Sequence, residues 1–252
     1  MTFDVTADAY DDFMGRYSMP LAERFVDWAR LPSGGRALDV GCGTGALTTV
    51  LATRFGQSEV AGLDPSASFV AAASARFPWA DIRHGTAEAI PFDDDTFTAT
   101  LAQLVVHFMT DAAAGVREMV RVTRGGGVVA ACVWDLENAR APHAVLMRAA
   151  WAEKGEPPPP LRPGTRRGDL RRLLDQAGCR DVEESELSVS VQFPTFEEWW
   201  ASQTVRVGVA AAALDGLDDA AIERVRDATR DHWGDGPFTV AGTAWAARGL
   251  VA

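Results

Sequence analysis

A chain of 252 residues with 47% hydrophobic content can bury one large mixed core, or one core carrying a small cap. Its formal net charge of −11 argues against nucleic acid as a partner, because a phosphate backbone demands concentrated positive charge. Three cysteines (Cys42, Cys132, Cys179) with no C-x-x-C pair point to a reducing, cytoplasmic setting rather than a disulfide scaffold. The acidic N-terminus lacks the long apolar core of a signal peptide. No stretch approaches the ~20 apolar residues of a membrane span, so no stable membrane association is expected. The one basic cluster, Arg162, Arg166, Arg167, Arg171 and Arg172, is interrupted by Asp169. It reads as a solvated helix face, with an anionic substrate tail as the sharper alternative.

In chain order, residues 1–31 place Phe13, Met14, Tyr17, Leu21, Phe25, Val26 and Trp28 at mostly helical spacing, with a break near Pro20. One or two helices are predicted to cap the domain ahead of its first strand. Ala37 to Val40 then reads as a buried strand and Ala46 to Phe55 as an amphipathic helix. Between them Gly41, Gly43 and Gly45 build a turn without side-chain walls, and the helix behind it points free N–H groups at whatever binds there. Gly41-x-Gly43-x-x-Ala46 satisfies the dinucleotide fingerprint. Asp39 argues against that reading, since a carboxylate two residues before the first glycine repels a pyrophosphate and suits a ligand whose near end is cationic.

Ser58 to Asp64 is a second predicted strand, ending in a carboxylate 23 residues after Gly41. That interval fits the ~20 residues at which an acid reaches ribose hydroxyls in nucleotide-binding units, and two carboxylate oxygens can take both hydrogens of a cis-diol. Pro65 suits the first turn of a helix that runs to Phe77 and ends at Pro78. Ala80 to His84 is the third strand. Thr96 to Val106 is the fourth, free of ionised residues and so central and buried on both faces. Gln103, Leu104 and His107 fall at its carboxyl end, where doubly wound sheets hold their ligands. His107 is the best-placed titratable base there, with a structural role as the plainer alternative.

Asp111 to Thr123 has helical spacing, and Arg124-Gly125-Gly126-Gly127 is expected to reverse tightly into a fifth strand, Val128 to Trp134. Leu136 to Pro163 breaks the strand–helix alternation with a helix around Val145, Leu146, Ala149 and Trp151, followed by the stiff run Pro157 to Pro160. Asp169 to Ala177 is the next helix, with Gly178 as its stop. Leu187 to Phe193 alternates as a sixth strand, Thr195 and Glu198 form a capping box, and a last helix to about Trp233 precedes a strand from Phe238. Trp134, His143 and Trp151 are the residues of this half that could face a substrate, or could pack the inserted segment itself.

The run Asp39 to Gly45 resembles motif I, Asp-x-Gly-x-Gly-x-Gly, of the class I S-adenosylmethionine-dependent methyltransferases. His84 to Phe97 is similar to that family's Gly-Asp-Ala-Glu-x-Leu-Pro-Phe segment, with Thr86 in place of the usual acid. The resemblance implies an α/β Rossmann-like doubly wound sheet of seven strands, mostly parallel with an antiparallel last strand. It also implies a single domain over residues 1–252, with N-terminal helices over 1–31 and a small helical lid over 136–166. It assigns cofactor binding to Arg16, Asp39, Gly41, Cys42, Gly43, Gly45, Asp64, Pro65, Thr86, Ala87, Glu88, Gln103 and Leu104. Arg16 would meet the methionine carboxylate, and Thr86 and the Ala87 backbone would meet the adenine. The acceptor side falls to Tyr17, His107, Trp134, His143 and Trp151, with His107 as the catalytic base. The expected activity is methyl transfer to a small-molecule acceptor by direct displacement, S-adenosylhomocysteine being the product. His84, His107, His143 and His232 show no metal-ligand spacing, so no metal is expected. An S-adenosylmethionine binder without transfer activity, and a nicotinamide-dependent oxidoreductase, are the alternatives. Nothing in the sequence sets an oligomeric state.

Overall fold

The computed structural model describes residues 15–204 and 213–252, so Phe13 and Met14 of the expected cap lie outside the described residues. Its strands are β1 (Ala37–Val40), β2 (Val60–Asp64), β3 (Asp81–His84), β4 (Phe97–Gln103), β5 (Thr123–Trp134), β6 (Arg180–Phe193) and β7 (Phe238–Leu250). They form a seven-stranded sheet in the order β3-β2-β1-β4-β5-β7-β6. β1 to β5 pair in parallel, and β7 inserts antiparallel between β5 and β6. This is the Rossmann-like doubly wound sheet with an antiparallel last strand that the sequence led us to expect. β1, β2 and β4 are buried along their whole length, and apart from Asp39 and Asp64 they carry no ionisable residue.

Helices cover both faces. α1 (Arg16–Ala29) and α2 (Ala46–Phe55) share one buried cluster with Leu21, Phe25, Leu47, Leu51 and Leu101. α4 (Ala112–Val122) and α6 (Asp169–Gln176) bury Val116, Met119, Leu170 and Leu174 in a second cluster with Leu38, Leu63 and Val129. α3 (Ala67–Arg76) contributes Ala73 to a small cluster with Phe77 and Cys42. α5 (Ala144–Lys154) follows β5 and packs against α8 (Asp219–Trp233), while α7 (Phe196–Thr204) packs beside β6. No helix among the described residues is long and apolar enough to cross a membrane.

Four local expectations change. Pro20 does not break α1, because it lies only one turn in and forfeits a single backbone bond, while Tyr17, Leu21 and Phe25 bury the helix's apolar face. Gln57–Glu59 forms a short 3₁₀ turn, so β2 begins at Val60. Ser66, not Pro65, opens α3, its hydroxyl accepting from the Phe69 N–H. Gly125 to Gly127 do not reverse the chain. β5 already starts at Thr123, opposite Phe97, and the glycines sit in an irregular stretch of strand with Gly126 at φ 76°. A Cβ on Gly127 would lie 2.8 Å from the carbonyl oxygens of Thr98 and Arg124.

The turn after β1 fixes the packing of its neighbours. Gly45 has φ 94°, and a Cβ there would approach the Phe77 ring to 2.0 Å. We predict that Gly45→Ala lowers stability by about 2–4 kcal/mol, from left-handed strain plus overpacking. Urea denaturation measures this, and a loss below about 0.5 kcal/mol would contradict it.

Candidate functional site

The strand order reverses between β1 and β4, and the loop after β1 lies outside the carboxyl ends of the strands at that point. Its backbone is tied to the end of β2. Gly41 N and Cys42 N both donate to Leu63 O, at 2.6 and 2.9 Å, and Gly43 N donates to Asp64 Oδ2 at 2.9 Å. The glycines divide their labour. A Cβ on Gly41 would strike Val105 at 2.4 Å and one on Gly45 would strike Phe77, so both answer to packing within the protein. Gly43, at φ 52°, faces the recess in front of the loop.

Asp39 and Gly41 to Thr44 line one side of that recess, Gln103 and Leu104 another, and Ser18 of α1 lies across it. Asp39 is 1% exposed and accepts from Thr48 Oγ1 at 2.7 Å. Burial pushes its carboxyl up to about 7, with the Asp64 charge adding to the effect. Burial also raises Asp64, against the backbone N–H groups of Ser66 and Gly43 that favour its charged form. Each Asp64 oxygen takes one of these protein bonds, so a lone pair on each is left for a ligand. Gln103 Nε2 donates to Ser18 O at 2.9 Å, while its Oε1 is buried without a partner. Leu104 stands at φ 60°, its N–H bonded to Cys132 O. The recess therefore presents the Asp39 carboxyl, a free carboxamide oxygen and, among the described residues that line it, no basic side chain. That set suits a ligand bearing hydroxyls and a positive charge, and it opposes a pyrophosphate.

Several expected residues are committed elsewhere. Arg16 Nη1 pairs with Glu198 Oε1 of α7 at 2.5 Å and lies 5.7 Å over the Phe193 ring. The same pairing undoes half of the capping box: Glu198 N still donates to Thr195 Oγ1, but its carboxylate turns to Arg16. Glu88 Oε1 accepts from Thr110 N and Asp111 N, just ahead of α4. Pro65 and Thr86 are exposed, and Ala87 is buried in the apolar cluster beneath α4.

Beyond β4 the chain makes a 3₁₀ turn, Val106–Phe108. It buries His107 to 7% exposure, while His143, immediately before α5, is 3% exposed. Burial, with the His143 ring and the Arg162 guanidinium nearby, pushes His107 down to about 3; burial alone pushes His143 down to about 4. Both rings therefore stay neutral at ordinary pH, which makes His107 a poor proton acceptor. Tyr17 OH, Trp134 Nε1 and Trp151 Nε1 are also buried without partners, although Trp151 carries Lys154 Nζ 4.6 Å over its ring. Spacing gave no sign of the anchor that holds the inserted segment. Fully buried Asp135 accepts from Arg140 Nε at 2.6 Å and Asn138 N at 3.0 Å, and Arg140 reaches on to Glu186 of β6. Burial works to raise the Asp135 carboxyl, but Asn138 and Arg140 hold it below the usual range. The partner of Asp39, Thr48, was missed from the sequence, although its place on the helix directly behind the glycine turn was a usable signal.

Residues 38–131 match the family model of a methyltransferase domain. The chain is 37% identical over 133 residues to a 2-phytyl-1,4-naphtoquinone methyltransferase of Thermosynechococcus vestitus, a match covering 50% of this chain and 59% of that protein. It is 35% identical over 155 residues to a demethylmenaquinone methyltransferase of Roseiflexus castenholzii, covering 59% and 63%. The chain thus spans less than two thirds of the length of these relatives. Among solved structures, the YcgJ protein of Bacillus subtilis superposes with a TM-score of 0.60 at 16% identity, over 92% of this chain and 97% of that one. A geranyl diphosphate methyltransferase in complex with SAM gives 0.55 at 17% identity, over 94% and 87%. At such identities these likenesses show the fold.

The buried titratable groups set opposite pH trends. His107 and His143 have folded values below the ordinary 6.5, so their contribution is complete above pH 6.5 and is lost as the pH falls toward 4. Asp39 has a folded value above its ordinary 3.8, so its contribution is complete below pH 3.8 and is lost as the pH rises through about 7. We predict that His143→Phe flattens the loss of stability between pH 6.5 and 4, and that Asp39→Asn steepens it. Urea denaturation across that range checks both, and an unchanged slope in either variant would contradict the assignment.

Proposed function

We propose that this chain is a class I S-adenosylmethionine-dependent methyltransferase that transfers a methyl group to a small-molecule acceptor, a reading supported by the methyltransferase-domain match over residues 38–131 and by the sheet order. The observation that carries the reading is the recess at the strand-order reversal, lined by Asp39, with Asp64 bonded to the glycine loop and no basic side chain among the described lining residues. S-adenosylmethionine supplies a methyl carbon already activated by its sulfonium. Asp64 would accept from the ribose hydroxyls through the lone pairs its backbone partners leave free. Asp39 would face the cationic end of the ligand, whose charge favours the ionised carboxyl. Gln103 Oε1, unpartnered and buried, would receive a donor from the same end. In this reading Arg16 meets the methionine carboxylate only by leaving Glu198, while Thr86 and the Ala87 backbone border the adenine and Cys42 the loop side. Glu88 supports that wall through the backbone N–H groups it holds.

Residues 1–31 would cap the recess and residues 136–166 would form a lid over the acceptor. Tyr17 of α1 and Trp134 at the end of β5 would then wall the acceptor's place. With a donor so activated, alignment of the two reactants can supply roughly 7–11 kcal/mol of the barrier. The chain's task is then to orient and to exclude water. Relatives named for naphthoquinone and demethylmenaquinone methylation support a small-molecule acceptor. We propose that no metal takes part. Among the described residues no three His, Cys, Asp or Glu side chains gather as metal ligands do. A cytoplasmic setting belongs to the same proposal; all three cysteines are free and buried. A binder that holds the cofactor without transferring its methyl would use the same recess, and turnover against an acceptor panel separates the two.

We predict that Asp64→Ala weakens S-adenosylhomocysteine binding at least tenfold by calorimetry, through loss of both the ribose contact and the tie on Gly43. An unchanged affinity would remove Asp64 from the site.

A further inference from the structure

We propose that His107 and His143 form a neutral clamp for an uncharged hydroxyl on the acceptor, one imidazole hanging from the sheet edge and the other from the inserted segment. The clamp rests on the methyltransferase reading above and gives that site a substrate class. Three ring nitrogens carry the inference: His107 Nδ1, His143 Nδ1 and His143 Nε2 are all buried without a hydrogen-bond partner. Folded proteins rarely leave buried polar atoms unpaired, and where they do a ligand or ordered water is the usual reason. The two rings come from separate elements, the turn after β4 and the residue before α5. They lie close enough for His143 to act electrostatically on His107.

The chemistry of the pair selects the ligand. A neutral imidazole offers one N–H donor and one lone pair, and a hydroxyl is both donor and acceptor. A hydroxyl between the rings can give its hydrogen to one and accept from the other, pairing one nitrogen of each imidazole. A cationic amine is opposed on two grounds. It has no lone pair to accept with, and it would sit beside Arg162, whose guanidinium donates to His107 O at 3.3 Å. Arg162 and His143 are the charged or titratable groups that act on His107. Both imidazoles are held neutral by burial, so they orient the hydroxyl and do not take its proton. Phe108, its ring centroid 3.9 Å from that of His107, supplies a flat aromatic neighbour of the kind an aromatic hydroxyl needs.

The test uses the full chain, labelled with ¹⁵N at its four histidines and saturated with S-adenosylhomocysteine. His84 and His232 are exposed and serve as internal controls. The probes are 2-naphthol and the cation 2-naphthylmethylammonium. We expect 2-naphthol to shift the ring ¹⁵N resonances of the two non-titrating histidines, and the cation to bind at least tenfold more weakly. We expect His107→Phe and His143→Phe each to weaken 2-naphthol binding at least tenfold while S-adenosylhomocysteine still binds. The ring shifts are read on the unmutated chain, so they hold even if a variant misfolds. No binding of 2-naphthol, binding without those shifts, or equal binding of the cation overturns the clamp and leaves the cofactor reading standing. Failure of S-adenosylhomocysteine to bind the unmutated chain overturns the cofactor reading, and the clamp with it.

Discussion

One hydrogen bond organises the functional edge of this protein, the Gly43 N–H donating to the Asp64 carboxylate. It joins the loop after β1 to the end of β2, next to the two N–H groups that Gly41 and Cys42 give to Leu63 O. A carboxylate bonded to two backbone N–H groups has a fixed position and two free lone pairs. It serves the fold and remains available to a ligand. The glycines follow from this arrangement. Val105 and Phe77 press on the loop from behind, so no side chain fits at Gly41 or Gly45.

Buried charge gives the recess its character. Asp39 and Asp64 sit within one turn of chain from that loop, both largely removed from water, and burial raises both. An isolated buried carboxylate is costly, and a cationic ligand relieves that cost where a pyrophosphate would add to it. The acceptor side proposed above differs in kind. Its polar atoms are neutral, Tyr17 OH, Trp134 Nε1 and the two imidazoles, and they stand unpaired within apolar surroundings. On the proposed reading, an acid-lined recess and a neutral acceptor side would suit a cationic donor meeting an uncharged acceptor.

Much of this edge was legible because it is local in the chain. Asp39, the three glycines and Asp64 fall within 26 residues, and their spacing alone pointed to the loop and its partner strand. The order of strands and the inverted last strand came with the family resemblance. What the sequence hid depends on contacts between distant residues. Arg16 meets Glu198 across 182 positions, and Glu88 reaches the start of α4 across 22. Spacing carries no trace of either. Gly125 to Gly127 read as a reversal because the irregular start of β5 depends on Phe97 and Val251 lying alongside. His107 looked like a base because its burial and its neighbours, His143 and Arg162, are products of the fold.

The central claim is that the recess beside Asp64 holds a sulfonium nucleoside and not a dinucleotide. Paired calorimetric titrations of the unmutated chain with S-adenosylhomocysteine and with NADH test it most directly. Saturable one-to-one binding of S-adenosylhomocysteine, with NADH at least a hundredfold weaker, is the result predicted. Tight NADH binding with no heat from S-adenosylhomocysteine would contradict it.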